Sequence, residues 1–284
     1  MSRVSFSFKG LMAPVFTPFS TDEKISLNLS TIDPYTNFLK EKGITGVLVN
    51  GTTGEGPALN TLERKLVCQA WKKTCDKYGL TLMVQIGGAP LCDVVELAQH
   101  AEQLRVDSIL CLPELYFKPK TVIDLVGYLK RVAKHCPRTP FLYYHIPMFT
   151  GLNFHMPTFC DLAEREIPNF VGLKYTSGDL EAGSGCLKEG RSVFLGADTI
   201  LSGAMTLGFD SAIMTTLNIC PELALNVVRF IGENRLIEAK LAQDALTKRV
   251  KEILEDGGGE WVPSMKKAFN QKCLNAGPVR DLSI

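Results

Sequence analysis

Three groups of side chains in this chain could act together on a carbonyl compound: one lysine, a pair of hydroxyls between glycines, and a pair of tyrosines. Lys174 follows the short apolar run Phe170-Val-Gly-Leu173, which is bounded by Pro168 and by Ser177-Gly178 and is too short for a helix. At the carboxyl end of an interior strand an ammonium sits in poor solvent. Burial lowers its pKa there and frees the amine to attack a carbonyl carbon. A lysine at a strand end is more commonly solvated or paired with a carboxylate, so this reading depends on the company Lys174 keeps. Thr52 and Thr53 lie in Gly51-Thr-Thr-Gly54, a turn whose hydroxyls and inward-facing amides suit a carboxylate or phosphate oxygen. Tyr143 and Tyr144 open Tyr143-Tyr-His-Ile-Pro147, and because strand side chains alternate, one of them faces an interior and the other a helix layer. A phenol beside an amine-derived cation has a lowered pKa and can serve as acid and base. A nucleophilic lysine, a carboxylate nest and a phenol are together what a lysine-dependent aldolase acting on a 2-oxo acid needs.

Such residues, far apart in sequence, need elements that bring them together. The chain reads as an alternation. Strand patterns run over residues 11–17, 46–50, 80–86, 108–112, 140–144, 169–174, 192–195 and 210–214. Helical patterns run over 31–42, 61–78, 91–104, 121–135, 157–166, 179–188, 198–207 and 221–233. Eight mostly continuous apolar strands alternating with eight helices predict a parallel sheet covered by helices, closed as a (β/α)8 TIM barrel. An open doubly wound sheet is the alternative. Further helices over 236–254 and 261–274 follow, so residues 1–234 are expected to form the barrel and 235–284 a C-terminal helical appendage packed on it. In such a barrel the active site lies at the carboxyl ends of the strands, where Thr52, Tyr144 and Lys174 all fall.

Composition narrows the chemistry further. The 284 residues carry a net charge of +1 with mixed signs, against a nucleic-acid or anionic-membrane surface and in favour of a small ligand. No apolar run reaches the length of a membrane span and Met1-Ser-Arg-Val-Ser-Phe6 lacks a secretory layout, so a cytoplasmic protein is expected. The nine cysteines are scattered without a Cys-x-x-Cys pair and are expected reduced; the four histidines show no metal-ligand spacing, and no metal is expected. No strand is followed by Gly-x-Gly-x-x-Gly, against a nicotinamide enzyme.

The motifs Asn50-Gly-Thr-Thr-Gly-Glu-Gly56, Tyr143-Tyr-His-Ile-Pro147 with Thr150-Gly151, and Gly172-Leu-Lys-Tyr-Thr-Ser-Gly-Asp179 resemble those of the N-acetylneuraminate lyase family. That family lies within the dihydrodipicolinate synthase superfamily of pyruvate-dependent aldolases, and the resemblance spans nearly the whole chain. It implies cleavage of N-acetylneuraminate to N-acetylmannosamine and pyruvate through an imine on Lys174, with no other cofactor. It implies that Tyr144 shuttles the proton, that Thr52 and Thr53 hold the pyruvyl carboxylate, and that Thr176, Gly196, Asp198, Thr199 and Thr215 line the substrate site. It also implies a homotetramer in which a tyrosine of a neighbouring subunit, matched here by Tyr116, completes a relay with Thr53 and Tyr144.

Several residues depart from the family pattern. Pro113-Glu-Leu-Tyr116 differs from the usual Pro-Phe-Tyr/Phe. Gly196-Ala-Asp-Thr199 has a threonine where the lyases carry a glutamate, and Met214-Thr-Thr-Leu-Asn218 stands where they have a form close to Gly-Ser-Thr-Tyr-Asn. Met214 and Leu217 are therefore expected to add apolar bulk to the sugar pocket. The alternatives are a pyruvate aldolase for a different aldehyde or oxo acid, and a catalytically silent barrel that binds a sugar acid.

Overall fold

The computed structural model describes residues 4–88 and 90–280; residues 1–3 and 281–284, the outer ends of the expected barrel and appendage, and Ala89 lie outside the described residues. Strands β1 (Gly10–Pro14), β2 (Gly46–Val49), β3 (Thr81–Gln85), β4 (Ser108–Cys111), β5 (Phe141–His145), β6 (Phe170–Tyr175), β7 (Ser192–Leu195) and β8 (Ser211–Ile213) pair in parallel in chain order. Pairing of β1 with β8 closes the barrel. Around it run helices α1 (Ile32–Glu41), α2 (Thr61–Tyr78), α3 (Leu91–Leu104), α4 (Val122–Ala133), α5 (Pro147–Thr150), α6 (Met156–Glu166), α7 (Leu180–Ser184), α8 (Leu201–Thr206) and α9 (Pro221–Gly232). Helices α10 (Leu236–Gly257) and α11 (Trp261–Lys272) follow the eighth unit. The (β/α)8 expectation holds, and the open sheet is excluded by the closed strand order.

The strands are apolar on both faces because each face is buried. One cluster, including Met12, Leu48, Met83, Leu142 and Phe194, fills the barrel interior; a larger one, including Val47, Leu82 and Leu173, packs between strands and helices. Phe6 and Phe8 pack against the interior cluster and lie 6.3 and 6.0 Å from the Phe194 ring, covering the amino-terminal end. Helix starts are set locally: Asn60 with Glu63 and Thr121 with Asp124 form reciprocal capping boxes on α2 and α4.

Three helical segments differ from expectation. α5 is an extra turn after β5, opened by Pro147 and closed by Gly151 in the left-handed region. α7 has 5 residues rather than spanning 179–188, and Gly183 packs so tightly that a Cβ would lie 2.9 Å from the Tyr175 ring. The helix expected over 198–207 begins as a 3-10 turn, Asp198–Ile200, and becomes α-helical only in α8.

The irregularity that matters most lies in β6. Phe141 is opposite Phe170, but Leu142 is opposite Gly172, so β6 carries one extra residue in a bulge. Val171 belongs to the interior cluster, whereas Leu173 and Tyr175 belong to the outer one. Strict alternation from Val171 would have put Leu173 inside and Lys174 outside; the bulge shifts the phase and turns Lys174 inward. Gly172 absorbs the shift with φ of +152°, and a Cβ there would sit 1.8 Å from the Ser192 carbonyl oxygen. Gly172→Ala is therefore expected to cost about 2–4 kcal/mol of stability, since β6 and β7 must separate around the new methyl. Denaturant unfolding checks this, and a midpoint equal to wild type contradicts it.

Candidate active site

Tyr144 and Lys174 are register partners on adjacent strands, so once both point inward their side chains must meet. Lys174 Nζ donates to the Tyr144 hydroxyl at 3.0 Å and lies 4.3 Å from the centroid of its ring. Tyr144 is 2% exposed and Lys174 5%. Thr52 Oγ1 is 3.3 Å from the same phenol oxygen, completing a chain of amine, phenol and hydroxyl. Tyr143 turns the other way, against Phe159 at 4.8 Å, and its hydroxyl is buried without a partner among the described residues. Of the two tyrosines, Tyr144 is the one available to chemistry at Lys174.

The loop after β2 closes on itself, with the Glu55 amide donating to the Thr52 carbonyl and the Gly56 amide to the Gly51 carbonyl, each at 3.0 Å. Thr17 Oγ1 donates to the Gly54 carbonyl at 2.5 Å and ties this loop to the segment after β1. The two threonines separate. The hydroxyl beside Tyr144 belongs to Thr52, whereas Thr53 Oγ1 lies 2.9 Å from Thr215 Oγ1, which also accepts from Trp261 Nε1 at 3.2 Å. This corrects the relay expected through Thr53: successive side chains in the turn diverge, and only the first reaches the phenol.

Across the same end of the barrel, the Thr176 hydroxyl is buried with no hydrogen-bond partner among the described residues. Beside it a Cβ on Gly196 would lie 2.0 Å from Thr176 Oγ1, so only glycine fits there. Asp198 is buried and largely committed to the fold: its Oδ1 accepts from the Thr216 amide at 3.0 Å and hydroxyl at 2.5 Å. Burial pushes the Asp198 carboxyl up, opposed by the Thr216 bonds and by the positive charge of Lys174. Thr199 is exposed at the mouth. Met214 and Leu217 do not add bulk to the interior as expected: both are fully buried in the outer cluster, because β8 ends at Ile213 and the 3-10 turn Thr215–Asn218 carries Leu217 away from the axis. Tyr116 is 79% exposed and packs edge-on to Phe117; no hydrogen bond joins it to Tyr144 or Thr53 among the described residues. Trp261 and Gln243 were not legible as site residues, since both belong to the appendage. Gln243 Nε2 donates to the Asp198 carbonyl at 3.1 Å, and its Oε1 accepts from the Ser202 amide at 2.8 Å. Among the described residues no group of three or more His, Cys, Asp or Glu side chains is arranged to hold a metal ion, and no helix is long and apolar enough to cross a membrane.

A family model described as the Dihydrodipicolinate synthetase family matches residues 7–281. The N-acetylneuraminate lyase A of Xenopus laevis is 33% identical over 254 residues, covering 88% of this chain and 83% of that protein. The N-acetylneuraminate lyase of Homo sapiens is 36% identical over 216 residues, covering 74% and 67%. The solved structure of Proteus mirabilis N-acetylneuraminate lyase superposes with a TM-score of 0.90 at 30% identity, covering 98% of this chain and 92% of the other.

His145, which follows Tyr144, faces the outer layer, stacked 5.1 Å from the Tyr175 ring, and its Nδ1 has no hydrogen-bond partner among the described residues. Burial holds its pKa down at about 4. The unfolded imidazole protonates near 6.5, so the folded state binds fewer protons between these values, and stability present above about 6.5 is lost as pH falls towards 4. The loss attributable to this ring is at most about 3 kcal/mol. His145→Phe keeps the stacking and is expected to flatten the pH dependence of the unfolding free energy between pH 6.5 and 4.5. Wild-type and variant curves that stay parallel over that range contradict it.

Proposed function

The chain belongs to the dihydrodipicolinate synthetase family, and from that premise we propose that it is a Schiff-base lyase cleaving N-acetylneuraminate to N-acetylmannosamine and pyruvate. The observation that carries the reading is the buried Lys174 amine within hydrogen-bond distance of the Tyr144 phenol, with Thr52 next in line. Lys174 attacks the oxo carbon C2, water leaves, and the protonated imine becomes an electron sink. Tyr144 removes the C4 hydroxyl proton while the C3–C4 bond breaks, and the electrons of that bond form the enamine. The aldehyde of N-acetylmannosamine is released, Tyr144 returns the proton to C3, and hydrolysis of the imine frees pyruvate. The amine and the substrate carbonyl supply the reactive groups, so no further cofactor enters this scheme.

The nest at Thr52 and Thr53 receives the pyruvyl carboxylate, and the unpartnered Thr176 hydroxyl, beside Gly196, faces the substrate. Asp198 and Thr215 act there chiefly as supports, Asp198 through Thr216 and Thr215 through Thr53. The working form is a cytoplasmic homotetramer acting on a sugar acid, not on nucleic acid or membrane. The exposed pair Tyr116 and Phe117 supports a contribution from a neighbouring copy, with Tyr116 reaching Tyr144 across the interface. Of the described residues, those up to 234 supply the reacting groups and 235–280 act as an appendage that braces them. A second reading, a pyruvate aldolase for another aldehyde, is favoured by exposed Thr199, which cannot offer sugar hydroxyls the charge-assisted acceptor that a glutamate provides.

Borohydride reduction in the presence of pyruvate is expected to fix one pyruvyl group on Lys174, read by peptide mass mapping. Tyr144→Phe is expected to retain that trapping and to lose roughly a hundredfold or more in turnover of N-acetylneuraminate. Label on a different lysine, or wild-type turnover by Tyr144→Phe, contradicts the mechanism. For the sugar end, Thr199→Glu is expected to raise kcat/KM for N-acetylneuraminate about tenfold, the equivalent of one charge-assisted hydrogen bond. Efficient wild-type cleavage that Thr199→Glu leaves unimproved removes the basis for the second reading.

A further inference from the structure

Helix α11 lies outside the barrel, yet one of its lysines ends beside the loop that follows β2. Lys266 is 1% exposed, and its Nζ donates to Glu55 Oε1 at 2.7 Å and to the Thr17 carbonyl at 2.8 Å, with the Phe19 ring 4.4 Å away. Glu55 is fully buried, and its Oε2 accepts from the Arg280 amide at 2.8 Å. Burial pushes the Glu55 carboxyl up and the Lys266 ammonium down, and each is opposed by the partner's charge. A buried charge pair is expensive to desolvate and is weak evidence of stabilisation by itself, so its location needs a separate reason.

The backbone of Glu55 supplies one. Its φ is +54°, in the left-handed region that a residue with a side chain rarely adopts. It is two residues beyond Thr53 and closes the turn onto the Thr52 carbonyl. The Thr17 carbonyl that accepts from Lys266 belongs to the residue whose hydroxyl holds Gly54. The ammonium thus reaches the Thr52–Thr53 loop from two sides. One turn earlier on α11, Trp261 reaches Thr53 through Thr215.

We propose that the buried Lys266–Glu55 pair is a positioning device of the active site: the ammonium of α11 fixes the left-handed turn at Glu55 and so aims the Thr52–Thr53 amides and hydroxyls at the substrate carboxylate. The assignment rests on the reading of that loop as the pyruvate carboxylate site. Neither Lys266 nor Glu55 touches the reacting atoms; both act through the threonines.

The test uses the full chain with Lys266→Met and, separately, Glu55→Gln, which keeps the volume and an acceptor and carries the test if Lys266→Met does not fold. The pyruvate concentration giving half-maximal borohydride trapping at Lys174 is expected to rise roughly tenfold in Lys266→Met and less in Glu55→Gln, with the trapping rate at saturation largely retained. Amide hydrogen exchange is expected to quicken in residues 50–59 and to stay unchanged in the other barrel strands. Wild-type half-saturation in both variants, with only a lowered unfolding midpoint, assigns the pair to stability alone and overturns the inference. If wild type is not trapped at all, the pyruvate reading falls, and unchanged exchange over 50–59 in the variants then overturns the positioning role on its own.

Discussion

A strand shows alternate side chains to opposite faces, and β6 could not offer Lys174 to the barrel interior without breaking that rule once. The extra residue at Val171–Gly172 breaks it. With the phase shifted, Lys174 falls beside its register partner Tyr144, and the amine and phenol are buried together, with Tyr144 in the interior cluster that also holds Phe194 and Leu142. Every other feature of the site serves that pair. Thr52 hydrogen-bonds the phenol, and Gly196 packs against the Thr176 hydroxyl, which is buried without a hydrogen-bond partner among the described residues. The cost is a backbone that only glycine tolerates, placed against the Ser192 carbonyl.

The barrel supplies strand ends, but strand ends alone do not fix loops. The two loops closest to the chemistry are held from outside by the helices that follow the eighth unit. Gln243 of α10 grips the Asp198 carbonyl and the Ser202 amide, and α11 grips the β2 loop directly through Lys266 and, by way of Thr215, through Trp261. The polar groups that form these contacts are hydrogen-bonded to partners across each joint, which restricts its geometry. Arg280 adds a bidentate contact to Glu63 and also donates to the Ile25 and Ala58 carbonyls, so the chain's last described residue is drawn into the same corner.

The alternation of strands and helices was legible because each strand is a short, continuous apolar run set off by glycine, proline or polar turns. Lys174, Tyr144 and Thr52 were legible as strand-end residues for the same reason. The phase of β6 was not, since a bulge leaves no mark in the sequence beyond one glycine, and without that phase the choice between Tyr143 and Tyr144 rested on resemblance. Thr52 and Thr53 lie in a turn with neither the period of a strand nor that of a helix, so the partner of each hydroxyl was open. Met214 and Leu217 were misjudged because β8 is only 3 residues long and gives way at once to a tighter turn. Nothing in the sequence marks Lys266 for burial, since its partner Glu55 is 211 residues away.

The central claim is that Lys174 of this chain is the covalent partner of a 2-oxo acid whose carboxylate rests on Thr52 and Thr53. A crystal structure of the protein soaked with pyruvate tests it most directly. The account predicts continuous electron density from Lys174 Nζ to C2 of the pyruvyl group, with its carboxylate on the two threonines and the Tyr144 hydroxyl within hydrogen-bond distance of the imine. Pyruvate bound without a bond to Lys174, joined to another lysine, or turned with its carboxylate away from Thr52 and Thr53 would contradict it.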